Sequence, residues 1–244
     1  MEIIDNMENF SFLLTDKQKA ELQFWKHEMI KYILWYIGEI PVLYKTSSPL
    51  PKQRKETGNI FYSAILTWTE LHQKPKYLND LNITTNHFFN KRILDVGSGP
   101  IPSAICLKDC DIYSLDPLMN KYASIGYPFD IYPNVNFINA YVENIPIEDN
   151  FFDVIISVNA IDHVDNLESA SKELCRVAKD NCSFIMHVHY HKPTIYEPIE
   201  INDTIFSTVF SWVKGLRVAK RTISSFSSTT SKNEEFVLWS NLKY

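Results

Sequence analysis

No two of the four cysteines form a Cys-x-x-Cys pair. This excludes the common zinc and dithiol redox motifs. Cys106, Cys110, Cys175 and Cys182 read as reduced, mostly buried thiols of a cytosolic protein. No Lys/Arg stripe runs along the chain, and the net charge is −5. Non-specific nucleic-acid binding needs clustered cations, so nucleic acid is not expected as a partner. No apolar run suffices for a membrane span: the best N-terminal candidate, Tyr32–Tyr44, is broken by Glu39 and Pro41. The opening Met1-Glu-Ile-Ile-Asp lacks the basic-then-apolar order of a secretion signal. A cytoplasmic protein without a membrane partner is therefore expected. The phosphate-cradling Gly-Lys-Ser/Thr loop and any internal repeat are also missing. What remains is a chain of 244 residues, 45% hydrophobic and 14% aromatic, enough for one sizeable core with an attached cap.

The chain is organised around Arg92-Ile-Leu-Asp-Val-Gly-Ser-Gly-Pro-Ile101. Ile93, Leu94 and Val96 read as a buried strand of a parallel sheet. Gly97 and Gly99 supply a tight turn, and Pro100 and Pro102 are tolerable in the first turn of a helix expected over Ser103–Lys108. Strand, glycine turn and helix start make a corner whose free N–H groups face a ligand. The dinucleotide fingerprint needs a third glycine where Pro102 stands, which disfavours NAD. Asp95 can receive the cation of a ligand's amino group, directly or through water.

Asp95-Val-Gly97-Ser98-Gly99-Pro resembles the first motif of the Rossmann-like (class I) S-adenosylmethionine (SAM) methyltransferases of small-molecule type. The resemblance implies an α/β fold: a three-layer, seven-stranded Rossmann-like sheet, here with an N-terminal helical cap. It implies SAM as cofactor, bound through Asp95, Gly97, Ser98 and Gly99. Asp116 ends the second strand, where an acid can accept both ribose hydroxyls and where the family has its ribose acid. Pro117 follows it, and Leu118 can pack on the adenine face. Ala140-Tyr-Val-Glu-Asn-Ile-Pro146 resembles the adenine-contact segment, although the family usually has an acid where Tyr141 stands. Tyr141 is then expected against the ring, with the Val142 N–H bonded to it. Asn159, at the end of the fourth strand, is expected at the methionine end.

Residues 1–90 read as a helical cap over the ligand end of the sheet and 91–244 as the SAM-binding core. The first helix, capped by Thr15 or Asp16, runs to about Gly38 with the stripe Leu22, Trp25, Met29, Tyr32, Ile33 and Tyr36. A loop follows over Thr46–Lys55. A second helix reaches His72, with Ile60, Ala64, Ile65, Trp68 and Leu71 on one side. Strands are expected at Arg92–Val96, Asp111–Asp116, Asn134–Ile138, Phe152–Val158 and Cys182–His189, with helices over Leu167–Ala178 and Asn202–Lys214. Leu216–Ser224 and Glu235–Asn241 read as an antiparallel pair around the polar loop Ser225–Lys232.

The candidate bases are histidines. His163 matches a histidine that recurs after the fourth strand in the resembling family. Period-two spacing puts His187, His189 and His191 on one face if the fifth strand continues. An O-methyl transfer benefits from a base that takes the hydroxyl proton, and neutral imidazole suits that near pH 7. His163, His187 and His189 are thus the catalytic candidates. No metal is assigned: metal-dependent members of the resembling family usually add carboxylates, and none is obvious beside His187, His189 and His191. The expected acceptor is a small polar molecule, a hydroxyl compound such as a sugar or surface-glycan precursor. A small amine, or SAM binding without turnover, are the alternatives. The oligomeric state is open.

Overall fold

The computed structural model describes residues 14–41, 56–194, 197–224 and 234–243. The expected loops Thr46–Lys55 and Ser225–Lys232 lie outside the described residues. Helices come first: α1 (Asp16–Ile37), α2 (Ile60–Trp68), a π-helical turn (Thr69–Gln73) and α3 (Lys74–Leu81). Next are β1 (Arg92–Val96), β2 (Asp111–Leu115), α4 (Met119–Ser124), β3 (Val135–Ile138) and β4 (Phe152–Val158). The chain continues with α5 (Leu167–Val177), β5 (Ala178–Tyr190), α6 (Asp203–Val209), β6 (Arg217–Ser224) and β7 (Glu234–Ser240).

The strands form one sheet in the order β3-β2-β1-β4-β5-β7-β6. The pairs among β1–β5 are parallel, and β7 runs antiparallel to both β5 and β6. Both faces are buried, which is why β1 and β4 are nearly continuous apolar runs. On one face Leu94, Ile155 and Phe184 pack with Leu174 of α5 and Phe206 of α6. On the other, Ile93, Ile156 and Ile185 meet Tyr77 and Leu81 of α3. The sheet order reverses direction at β1, between β2 and β4, so a crevice opens beyond the carboxyl ends of these strands.

α1 begins with a capping box: Gln18 N–H donates to Thr15 Oγ1 and Thr15 N–H to Gln18 Oε1. Gly38, at φ +87°, ends it in the left-handed conformation. The aromatic stripe of α1 joins Ala64, Ile65 and Trp68 of α2 in a core that also holds Ile101, Leu118 and Tyr122. Fully buried Trp35 extends that core beyond the expected stripe, whereas Ile60 and Leu71 are exposed.

Several boundaries differ from expectation. The helix expected over Ser103–Lys108 is one 3₁₀ turn, Ser103–Cys106. Pro102 holds an extended backbone (φ −59°, ψ 142°), so no helical turn can form before Ser103. The second helix does not stop at His72. The wider π turn precedes Pro75, whose missing N–H is tolerated at the start of α3. The short α4 has no counterpart in the sequence reading. α6 ends at Val209 rather than Lys214, in successive turns. β5 starts earlier, at Ala178, opposite an irregularity at Phe152/Val154. Among the described residues no helix is long and apolar enough to cross a membrane. The four cysteines are unpaired; Cys106 and Cys182 are buried, while Cys175 is exposed.

Candidate active site

A cavity of about 870 Å³ lies at the carboxyl edge of the sheet. Its floor comes from four successive strand ends: Val96–Gly99, Leu115–Leu118, Ala140–Glu143 and Val158–Ala160. Gly97 and Gly99 both have positive φ, +63° and +58°. A Cβ on Gly97 would lie 2.3 Å from Ala160 Cβ, and one on Gly99 would lie 3.0 Å from the Trp25 ring. The turn therefore needs glycine for conformation and for space.

Asp116 is only 7% exposed, yet it lines the cavity. Gly99 N–H donates to its Oδ2 at 3.0 Å and Leu118 N–H to its Oδ1 at 2.8 Å. The second bond closes a local turn just before α4, and the first ties the glycine turn to the end of β2. Burial pushes the Asp116 carboxyl up to about 6, against those two N–H groups. Each carboxylate oxygen keeps lone-pair capacity for a further donor.

Asp95 is placed differently from expectation. It does not line the cavity. Its carboxylate accepts from Ser103 Oγ at 2.7 Å and from Ala104 N–H at 2.8 Å, beneath the glycine turn. Burial pushes it, too, up to about 6. Both acids carry raised pKa values, so the native state binds protons that the unfolded chain releases. Their contribution to stability accordingly rises as pH falls from 7 toward 5, opposite to that of an ion-paired carboxylate.

Ser98, Pro117, Leu118, Tyr141, Val142 and Asn159 all line the cavity. Leu118 and Val142 offer apolar surface, while half-exposed Tyr141 accepts through its hydroxyl from Gln18 Nε2 at 2.6 Å. His163 also lines it, with Nε2 3.6 Å from Glu197 Oε1. Burial works to lower the His163 pKa, but Glu197, Asp162 and Glu21 outweigh it and hold the value above the ordinary one. His187 and His189 do not reach the cavity. They stack on Phe236 of β7 at 5.3 and 4.5 Å between ring centres. His187 instead faces a small cleft beside Asp80 and Lys220, and burial lowers its pKa. The structure therefore does not bring these two residues together with His163: β5 extends to Tyr190 and pairs with β7, whose Phe236 ring lies against both imidazoles.

Sequence reasoning missed what α1 brings. Trp25 stands against Gly99, with its Nε1–H donating to Glu21 Oε1 at 2.7 Å. Lys17 Nζ donates to the His163 carbonyl at 2.6 Å and pairs with Asp165 at 2.7 Å. The cavity lining holds five carboxylates (Glu21, Asp116, Glu143, Asp165, Glu197) against two lysines (Lys17, Lys76). That balance suits a cationic sulfonium. Leu118 and Val142 suit a purine, Asp116 a pair of hydroxyls, and the glycine turn a close backbone approach. The residues present therefore fit SAM.

The comparisons agree. Residues 94–186 match the family model of the methyltransferase domain. A Thermotoga maritima protein described as a SAM-dependent methyltransferase, possible histamine N-methyltransferase, superposes with a TM-score of 0.52 at 18% identity, covering 74% of this chain and 95% of its own. YcgJ from Bacillus subtilis gives 0.51 at 14% identity, covering 69% and 97%. No curated protein matches the chain. The fold is that of the Rossmann-like class I enzymes. Residues 94–186 are thus matched as a methyltransferase domain, in a site whose residues fit SAM as the cofactor.

Proposed function

We propose that this enzyme methylates a hydroxyl oxygen of a small polar acceptor, with His163 as base. The observation that carries the reading is His163 on the cavity wall beyond β4, backed by Glu197 at 3.6 Å. SAM supplies an electrophilic methyl on its sulfonium. A hydroxyl attacks well only as its proton leaves, and an imidazole beside it can take that proton. Glu197 favours the tautomer with N–H on Nε2, which leaves the lone pair on Nδ1. The cavity walls hold the acceptor in line with the methyl, and orientation supplies much of the rate. A sugar or another surface-glycan precursor suits the charged and hydrogen-bonding side chains among the lining residues. N-methylation of a small amine is the second reading, favoured by the five carboxylates of the lining. Methyl-labelled SAM, incubated with a panel of small hydroxyl and amine compounds, separates the two. An O-methyl product in the NMR spectrum is expected. N-methyl products alone would assign the amine, and SAM binding without any turnover would sink both. The reduced cysteines and the absence of a membrane helix among the described residues support action in the cytoplasm.

In this reading Asp116 accepts the ribose hydroxyls, Leu118, Tyr141 and Val142 hold the adenine, and Gly97, Ser98, Gly99 and Asn159 face the methionine moiety. Asp95 acts through the turn it braces. Asp116→Asn should weaken SAM binding by about 1.5–3 kcal/mol, the scale of hydrogen bonds to a charged group. Asp116→Ala is a poorer probe, because it also orphans the Gly99 and Leu118 N–H groups. Proton uptake near pH 6 removes the same acceptor. SAM affinity should therefore fall as pH drops from 7 to 5, by up to about tenfold per unit. Asp116→Asn should flatten that profile; calorimetry giving the parent's affinity and pH slope in the variant would overturn the ribose assignment.

The helices of residues 1–90 act as a cap over this cavity. α1 lines the glycine turn as well as the acceptor end. The cap should then affect cofactor binding and not turnover alone. Trp25→Ala is expected to weaken SAM binding by about 0.5–1.5 kcal/mol, the worth of an aromatic contact. Unchanged SAM affinity with lowered turnover would confine α1 to the acceptor.

A further inference from the structure

Asp162 is the middle residue of the 3₁₀ turn Ile161–His163 that follows β4, and it is fully buried. Its Oδ2 is 2.9 Å from His191 Nε2, while its Oδ1 is buried with no hydrogen-bond partner. Leaving a buried carboxylate oxygen unsatisfied is costly, and such orphans point to a missing ligand. His191 Nε2 is also 3.7 Å from Glu197 Oε2. The His189 ring is centred 4.7 Å from that of His191. One donor atom from each of Asp162, His189, His191 and Glu197 falls within 4.8 Å of all the others.

We propose that these four residues form a binding site for a first-row divalent cation, with Zn²⁺ the natural occupant of a two-imidazole, two-carboxylate set. Four ligands at about 2.0–2.2 Å from zinc stand roughly 3.4 Å apart, so modest contraction of the cluster closes the shell. The surroundings of His191 are those of a metal ligand. Its Nδ1 lies 2.7 Å from the Lys192 carbonyl, which fixes the ring and directs Nε2 into the cluster. The carboxylates that the sequence lacks beside the histidines thus arrive by folding, Asp162 from 29 residues upstream of His191. Glu197 belongs both to this cluster and to the cavity wall, so the ion borders the active site. Glu197 turns Oε1 toward His163 and Oε2 toward His191, so the two contacts do not compete. Without an ion the cluster is a buried ion pair between an imidazolium and two carboxylates. That alternative explains neither the orphaned Oδ1 nor the convergence of His189.

The test uses the full chain, stripped with a chelator and dialysed, and titrated with Zn²⁺ by calorimetry and with Co²⁺ by visible absorption. One equivalent should bind with micromolar or tighter affinity, raise Tm, and give the intense Co²⁺ bands of a four-coordinate site. His191→Ala and Asp162→Asn should each lose on the order of 100-fold in affinity or more. Glu197→Gln, at the half-exposed rim, should lose about tenfold, and exposed His87→Ala nothing. Should the two buried variants not fold, Glu197→Gln and the Co²⁺ spectrum of the parent decide. No saturable binding below about 100 µM, or full affinity and an unaltered spectrum in Glu197→Gln, overturns the site.

Discussion

Gly97→Ala should destabilise the protein by about 2–5 kcal/mol and abolish measurable SAM binding. Two costs add. A side chain at φ +63° sits in the left-handed region, which costs an L-residue roughly 1–2 kcal/mol. The new methyl would also stand 2.3 Å from Ala160 Cβ, far inside contact distance. Relief requires the end of β4 to move away from β1, and overpacking of this kind costs typically about 1–3 kcal/mol. Both strand ends form the cavity floor, so the displacement also spoils the cofactor surface. Urea denaturation and SAM calorimetry measure the two effects.

The overlap has a single partner, which allows a sharper check. Ala160→Gly removes the atom that clashes. The double variant should recover the overlap cost and keep the conformational one, a coupling of about 1–3 kcal/mol. Gly97→Ala with stability within about 0.5 kcal/mol of the parent, or additive behaviour in the double variant, would mean that the turn tolerates a side chain. Neither result is compatible with the close approach of β1 and β4 seen here.

The strands were legible because buried parallel strands are written as short apolar runs, and Phe152–Val158 matches residue for residue. The glycine turn and Asp116 were legible for a related reason: their chemistry is local, within one strand–turn unit. The partners of Asp95 were not legible: its type and position suit a ligand's amino group, and the groups it meets are Ser103 and Ala104 under the turn. The rest of the site comes from distant chain segments. Lys17 meets the His163 carbonyl across 146 residues, and Gln18 meets Tyr141 across 123. No period or spacing encodes such pairs. Glu197 is the clearest instance. In the sequence it is an acid between prolines, and only folding brings it to His163 and His191. Of the period-two histidines, His187 and His189 lie on β5, and His191 falls just past its end. Which face is covered depends on β7 pairing with β5, and Phe236 covers His187 and His189.

His163→Gln should cut kcat by on the order of 10²–10⁴ and leave SAM binding nearly intact. Glutamine retains a polar side chain of similar reach but cannot take a proton, so the loss belongs to the chemical step. His163 is part-exposed on the cavity wall, and its backbone, not its ring, receives Lys17. The substitution should therefore leave the contact of α1 with this loop in place and change stability by less than about 1 kcal/mol. The assignment predicts a hierarchy among the histidines. His187→Gln should alter stability or the β5–β7 pairing but not the chemical step, since His187 faces away from the cavity. Glu197→Gln should lower kcat by less than His163→Gln, because Glu197 positions the imidazole and does not itself receive the acceptor's proton. Single-turnover rates with saturating labelled SAM isolate the step from product release. A His163→Gln enzyme within a few-fold of the parent in that measurement would remove His163 as the base. It would also favour the amine acceptor, which attacks from its neutral form and needs no strong base at this position.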